Sequence, residues 1–401
     1  MYNPSAQVYV AGIGVVSAIG NNAAECFHAL EKGQAGIGSI TGLETRYRGH
    51  LPVGEVKLSN EELASITGLP VTASRTALLG LLAAREAVED AGMSTPNNLR
   101  VAFVSANSVG GMDKSEKFFA RFLQHAGGGR LRNVVNHECG AVTELVADAL
   151  SVKHHITTIS TACSSGANSI FYAARLIRHG LADAVIAGGA DALTGFTLNG
   201  FNTLQILDAS PCMPFDENRR GLNLGEGAGY LVLVSEKTAA GLRANLYGRL
   251  TGYANANDAH HQTASSPDGT GAYLAMKEAL ERSSLQPNDI SYINLHGTGT
   301  FNNDSSEGIA VSRIFSAPYP PMSSTKAYTG HTLAASGSIE AVFSLQALRR
   351  QVVYPNLRLH TPMAALPFVP VKTFRNATVN HVLSNSFGFG GNCSSLIFSK
   401  A

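Results

Sequence analysis

Cysteine, histidine and lysine can attack a carbonyl, hold a charge or move a proton, and here they stand where apolar runs end. Ile156-Thr-Thr-Ile-Ser-Thr-Ala-Cys163-Ser-Ser-Gly-Ala leads from a β-branched run into small residues, and a helical pattern follows from Ser164. A thiol at the start of a helix feels the positive end of the aligned peptide dipoles, which favours thiolate. The backbone N–H of Cys163 could also donate to an oxyanion, as at other turns between a strand, a nucleophile and a helix. The same segment reads equally well as a small buried cysteine at a tight junction.

Three further segments carry polar groups of this kind. Ile290–Leu295 is an apolar run ending in His296-Gly-Thr298-Gly-Thr300. Ligands of α/β proteins bind beyond such strand ends, and the two threonine hydroxyls could hydrogen-bond an amide-bearing substrate, although a histidine there is often structural. Lys326 and His331 share a loop of small residues opening a helix in which Glu340 sits amid Ile339, Val342 and Phe343. A carboxylate in so apolar a setting needs a partner, and Lys326 is the obvious candidate. Last comes Phe387-Gly388-Phe389-Gly-Gly-Asn-Cys393, following the run that starts at Val382. Its glycines let the backbone approach a ligand or move, so Phe389 could swing as a gate; the alternative is a glycine-rich turn with both rings in the core.

These residues need a frame. Val8–Val16, Val101–Ser105, Ile156–Ser160, Ala184–Ala190, Tyr230–Ser235, Ile290–Leu295 and Val382–Ser386 read as buried strands, rich in Val and Ile and bounded by Gly, Asn or Ser. Asn22–Glu31, Thr76–Ala91, Ser165–His179, Gly271–Ser284 and Thr332–Arg350 read as helices. Such alternation predicts an α/β fold with both sheet faces covered. No identity repeat is evident, and the candidate boundary near Thr238–Asn245 divides the chain into 1–240, with Cys163, and 241–401, with both candidate histidines and Lys326.

Composition narrows the function classes. The 401 residues carry 44% apolar and only 15% charged side chains, against about 25% charged in ordinary globular chains. That implies a thick layered interior or a buried subunit interface. Thirty basic and 29 acidic residues leave a net charge of +1, so neither nucleic acid nor an anionic membrane is the expected partner. No apolar stretch approaches the ~20 residues needed to span a bilayer, and no export segment is read. Five scattered cysteines without a C-x-x-C pair suit a reducing, cytoplasmic setting and argue against a disulfide framework or zinc site. The adjacent pairs His154-His155 and His260-His261 would point to opposite faces of a strand, so no metal site is expected. Gly12-Ile-Gly-Val-Val-Ser17 lacks the last glycine of a dinucleotide fingerprint and reads as a turn. Asp216, Arg219 and Glu226 read as structural ion pairs.

Taken in order, Cys163, His296, Lys326, His331 and the glycine–phenylalanine loop resemble the elongating, Cys-His-His class of beta-ketoacyl-[acyl carrier protein] synthases of the thiolase superfamily. The resemblance runs along nearly the whole chain, through Val10 to Gly20, Leu30 to Ile37, Thr161 to Ala167, Pro214-Phe-Asp to Gly225-Glu-Gly, Asp258 to Thr263, His296 to Thr300 with Asp304 and Glu307, and Gly330 to Leu333. It departs at Asn392-Cys393, where the family usually has Thr-Asn, at Phe301 in place of Pro, and in a shorter loop Leu207–Cys212. It implies a five-layered αβαβα fold of two similar halves, and an acyltransferase that needs no cofactor because its substrates ride on phosphopantetheine. Acyl carrier protein, in acyl and malonyl forms, is the implied partner, with a homodimer or a heterodimer with a related ketosynthase. It further implies Cys163 as nucleophile, His296 and His331 on the malonyl carbonyl, and Lys326 with Glu340 orienting His331. Phe387, Gly388 and Phe389 would form the gate and oxyanion loop, Thr298, Thr300 and Thr263 would line the arm's path, and Val109 would floor the acyl pocket. Lys114, Lys117, Arg121, Arg130 and Arg132 form a basic stretch that could meet an acidic carrier or simply be solvated. Two alternatives are a coenzyme A-dependent thiolase using Cys393 as second thiol, and a non-catalytic subunit of a ketosynthase pair.

Overall fold

The computed structural model describes residues 6–93, 99–125, 127–242 and 245–401; residues 243–244, inside the stretch read as the boundary, lie outside it. The principal strands are β1 Val8–Ser17, β2 Val101–Ala106, β3 His155–Ile159, β4 Ala184–Asp191, β5 Gly227–Ser235, β6 Gly248–Asn257, β7 Tyr292–Asn294, β8 Met322–Ser323, β9 His381–Phe387 and β10 Asn392–Ser399. The helices that flank them are α1 Arg75–Asp90, α2 Met112–Gln124, α3 Cys139–Ala149, α4 Ser165–Arg178, α5 Thr270–Ser283, α6 Phe301–Ile314 and α7 Ser336–Arg350.

The strands lie in the order β3-β2-β4-β5-β1-β6-β10-β9-β7-β8. Within each half the order is third, second, fourth, fifth, first, so the second half repeats the topology of the first without repeating its sequence. The halves meet where β1 pairs with β6 through only Tyr9–Arg249 and Val10–Gly248.

Period-two alternation sorts the side chains into layers. Val101, Phe103, Ala184 and Ile186 face outward against α1 and α3. Ala102, Val104, Val185 and Ala187 face inward against α4 and α7. On the far side Ile293, Leu383 and Ile397 pack under α5 and α6. The result is five layers, helix, sheet, helix pair, sheet, helix, and α7 in the middle is buried along Ser336–Leu348. A helix enclosed on all sides must lack a polar face, which is why its buried pattern is small and apolar apart from Glu340 and Gln346.

Two glycines let the central helices touch backbone to backbone. A Cβ on Gly166 would stand 2.7 Å from the Ser338 nitrogen, and one on Gly337 would stand 2.8 Å from the Ala167 nitrogen. This contact brings the first turn of α4, from the first half, against the first turn of α7, from the second.

Several expectations change. The run Ile156–Ser160 is not a buried strand: β3 is the edge of its sheet, half-exposed, with Ile156 36% exposed. The helix read from Thr332 starts as a 3-10 turn at Leu333–Ala335 before α7. Arg219 and Glu226 do form structural ion pairs, Arg219 at 3.9 Å from Asp304 and Glu226 at 2.7 Å from Arg75, whereas Asp216 does not. Asp216 instead accepts backbone N–H groups of Asn218, His360 and Thr361. All five cysteines are free thiols. Among the described residues no helix is long and apolar enough to cross a membrane.

Candidate active site

β3 ends at Ile159 and α4 begins at Ser165, leaving five residues to turn the chain. Ala162 takes the left-handed conformation (φ 53°), a strain that small side chains bear best. Hydroxyls tie the turn together. Ser165 Oγ accepts the Thr161 N–H at 2.7 Å, while Ser164 Oγ reaches Thr161 O at 2.7 Å and Asn392 Oδ1 at 2.6 Å. Cys163 is thereby held inward, 4% exposed, and the backbone N–H groups of Phe389 and of Cys163 itself stand beside its sulfur, where they favour negative charge. These two N–H groups, one from each half, form an anion-receiving pair beside the thiol.

His331 Nε2 lies 3.0 Å from Cys163 Sγ. Its other ring nitrogen, Nδ1, accepts the Leu333 N–H at 3.2 Å and faces Ser336 Oγ at 2.9 Å. A backbone N–H can only donate, so the ring proton sits on Nε2. His296 is fixed the same way by different means. Lys326 Nζ donates to His296 Nδ1 at 3.1 Å, to His296 O at 2.7 Å and to Glu340 Oε1 at 2.5 Å. With its three protons so engaged, Lys326 leaves the His296 proton on Nε2. The lysine therefore orients His296, not His331 as expected from sequence. The two rings stand edge to face, 5.5 Å apart, and both border the cavity that Cys163 also lines.

Burial, reinforced by the Lys326 charge, holds both imidazoles well below the ordinary histidine range. The thiol departs from the sequence expectation. Burial pushes Cys163 up to about 11, and the Lys326 charge and the two backbone N–H groups offset only part of that. Desolvation outweighs the helix dipole here and favours the thiol over the thiolate.

Cys163, His296, His331, Thr298, Thr300, Thr263, Phe387, Gly388 and Phe389 all border one cavity of about 350 Å³. Phe389 stacks on Phe201 at 5.7 Å across its wall. Lys326 and Glu340 lie behind His296. Val109 does not border the cavity; it is buried in an apolar cluster with Leu193, Leu198 and Leu333 that shares Leu222 with the cavity wall. None of the five residues of the basic stretch borders it either.

The roles of several positioning residues escaped the sequence reading. Glu307 accepts the N–H groups of His296 and Gly297, each at 2.8 Å, and burial raises its carboxyl to about 7. Asp191 accepts the N–H groups of Ser108, Val109 and Ala334, tying the end of β4 to the loop after His331. Asn392 Oδ1 accepts from Ser164, Asn168 and Asn255 at 2.6, 3.0 and 2.7 Å. An acid ending an apolar strand, as Asp191 does, was a signal available in the sequence, since a buried carboxylate demands donors.

Comparison with known proteins places this geometry. The family description "Beta-ketoacyl synthase, N-terminal domain" matches residues 5–239, and "Beta-ketoacyl synthase, C-terminal domain" matches residues 247–360. The 3-oxoacyl-[acyl-carrier-protein] synthase 2 of Staphylococcus aureus strain N315 is 34% identical over 409 aligned positions, covering 98% of each chain. Among solved structures, the ishigamide ketosynthase/chain length factor superposes with a TM-score of 0.93 at 27% identity, covering 99% of both chains. The ketosynthase ApeO in complex with its chain length factor ApeC, from Xenorhabdus doucetiae, gives 0.86 at 31% identity, covering 99% and 98%. The fold of these relatives, five layers in two like halves, is the fold of this chain. Family descriptions that match both halves, together with a relative 34% identical over 98% of each chain, show that the chain belongs to the beta-ketoacyl synthase family.

Proposed function

We propose that the chain is an acyltransferase catalysing decarboxylative Claisen condensation of an acyl thioester with malonyl-[acyl carrier protein]. The observation that carries this is the convergence of Cys163 Sγ with two Nε2–H imidazoles, His331 at 3.0 Å and His296 beside it. The names of the relatives, 3-oxoacyl-[acyl-carrier-protein] synthase 2 among them, support the same reading.

In the first half-reaction the Cys163 sulfur bonds to the acyl carbonyl carbon, and the bond to the carrier's sulfur breaks. The thiol proton of Cys163 leaves with the carrier thiol. Malonyl thioester then takes the carrier's place, its arm passing Thr298, Thr300 and Thr263. As its carboxylate departs as carbon dioxide, the bonding electrons move to the adjacent carbon and thioester oxygen, where the Nε2–H groups of His296 and His331 donate to the developing enolate. Donors fixed in advance for such charge are each worth ~10²–10³ in rate. The carbanion attacks the acyl carbonyl on Cys163, whose oxygen is held by the N–H groups of Cys163 and Phe389. Collapse of that intermediate breaks the carbon–sulfur bond and returns the thiol with a proton from solvent. No step calls on a cofactor of the chain's own; phosphopantetheine belongs to the substrate.

The apolar cluster behind Leu222, with Val109 in it, supports this side as the direction the acyl chain takes. Phe119, Leu123, Leu131 and Val135, exposed by 57, 68, 74 and 72%, support a subunit contact through α2 and the segment after it, with itself or a related ketosynthase. So much exposed apolar surface favours that use over carrier docking on the interspersed basic residues. The setting is the cytoplasm, where free thiols persist, and the pathway is fatty acid synthesis or a related polyketide or aryl-polyene type. A thiolase reading would use Cys393, which borders the same cavity, as its second thiol; the names of the relatives favour the carrier-dependent reading over it. Residues 1–240 and 241–401 are proposed as the two functional halves.

Incubation with acyl carrier protein loaded with an acyl group tests the proposal. Intact mass should show one acyl adduct, lost in Cys163→Ala, and added malonyl carrier should yield carbon dioxide and a β-ketoacyl product. Absence of both adduct and carbon dioxide release would refute it.

A further inference from the structure

Arg219 and Arg220 are consecutive, and the structure uses them in opposite ways. Arg219 is buried and fully engaged: it donates to Asp216 O at 2.9 Å, Ser305 Oγ at 2.9 Å and Phe301 O at 3.2 Å, and its guanidinium lies 5.0 Å from the centre of the Phe301 ring. Arg220 is exposed and borders the catalytic cavity next to Gly221 and Leu222. Among the described residues it makes no hydrogen bond, ion pair or ring contact. It is also the sole Lys or Arg on the cavity wall, and that wall contains no Asp or Glu. Close by, Phe301 leaves 75% of its surface exposed, and Asn302 and Ser265 add neutral polar groups.

A guanidinium with five donors, no partner and no competing carboxylate makes the mouth of this cavity selective for an anion. Its planar fork fits two oxygens of a phosphate better than a point charge would. The proposed function says which anion arrives: the reacting thioester is carried on pantetheine, whose far end is a phosphodiester. Resting on that reading, we propose that Arg220 binds the phosphate of the phosphopantetheine arm and so sets how deeply the thioester enters toward Cys163. Coenzyme A offers a phosphate at the same point of its arm, so this contact selects the phosphorylated arm and not the protein that bears it.

The test compares binding of pantetheine and 4′-phosphopantetheine to the full-length protein by calorimetry. The wild-type chain should bind the phosphorylated form about 10-fold more tightly, the scale of one charge-assisted contact at a partly wet site. Arg220→Ala should erase that preference by weakening 4′-phosphopantetheine while leaving pantetheine where it was, and Arg220→Lys should restore part of it. Equal binding of the two compounds by the wild type, or a preference surviving in Arg220→Ala, would overturn the proposal. So would an Arg220→Ala defect confined to carrier-borne substrate, which would place the guanidinium against the carrier's own surface. Because the readout is binding, failure of condensation would count against the proposed reaction alone and leave this comparison decisive for Arg220.

Discussion

Lys326 Nζ lies 3.1 Å from His296 Nδ1 and sets which nitrogen of that ring holds the proton. Loss of the ammonium frees the ring to take either tautomer and leaves Glu340 buried without its cation. Lys326→Met should therefore lower malonyl-carrier decarboxylation by about 10²-fold, the size of one misdirected donor. Nitrogen-resolved NMR of the imidazoles should show His296 mixed between tautomers while His331, held by the Leu333 N–H, keeps one form. A variant with wild-type carbon dioxide release would contradict this.

The two half-reactions are separable. Cys163→Gln removes the nucleophile and should abolish condensation, yet its planar amide carbonyl can occupy the site between the N–H groups of residue 163 and Phe389. Carbon dioxide release from labelled malonyl carrier should persist in Cys163→Gln and fall by about 10²-fold or more in His296→Ala and in His331→Ala. A silent Cys163→Gln beside an active histidine variant would overturn that division of labour.

Both imidazoles are held below their usual range by burial and by Lys326, which fixes the sign of the pH response. A depressed value means the neutral ring survives to lower pH than an ordinary histidine near 6.5. Decarboxylation by Cys163→Gln should stay level through pH 6.5 and fall only in more acidic solution. A half-maximal point at or above 6.5 in its pH profile would show that the rings are not shielded as described.

Asn392 Oδ1 gathers three donors from Ser164, Asn168 and Asn255. Asn392→Ala removes the acceptor shared by the buried Ser164 and Asn168, which keep only Thr161 as an alternative, at about 1–3 kcal/mol. A lower thermal midpoint should be accompanied by slower acylation of Cys163, because the gate loop and the nucleophile turn lose their tie. Unchanged stability and acylation would show the network to be replaceable by water.

Val109 sits in the apolar cluster that meets the cavity at Leu222. Val109→Phe should fill the space into which the acyl chain extends and shift the products to shorter chains. An unaltered product distribution by mass spectrometry would place the chain elsewhere.

Much of this architecture was legible because burial writes a period into the sequence. β1, β2, β4, β5 and β9 lie within two or three residues of the apolar runs that announced them. β6 was not legible: Gly-Arg-Leu-Thr-Gly-Tyr-Ala-Asn-Ala-Asn alternates too weakly, since half its length packs small or polar groups against β10. β3 misled because Val, Ile and Thr suit an exposed edge as well as a buried centre. At the site, residue types and order pointed to Cys163, His296, His331 and Lys326, whereas the lysine's actual neighbour needed three-dimensional distances. The direction of the Cys163 shift also depended on how much water the fold removes. No local pattern reports that.

The crossing of α4 and α7 at Gly166 and Gly337 has a consequence for how such chains can be shuffled. Strand pairing between the half-sheets is limited to two residue pairs, so recombination between β5 and β6 would splice halves from different relatives while leaving nearly every ladder within one parent. Each offspring would fold its sheets from intact instructions. Whether its thiol then met its imidazoles would depend on the backbones closing to within reach at that crossing, together with the ties of Asp191 to Ala334 and of Ser164 to Asn392. The two glycines thus form one inherited feature split across the halves, and a half from a parent with a larger residue at either position would hold that crossing apart.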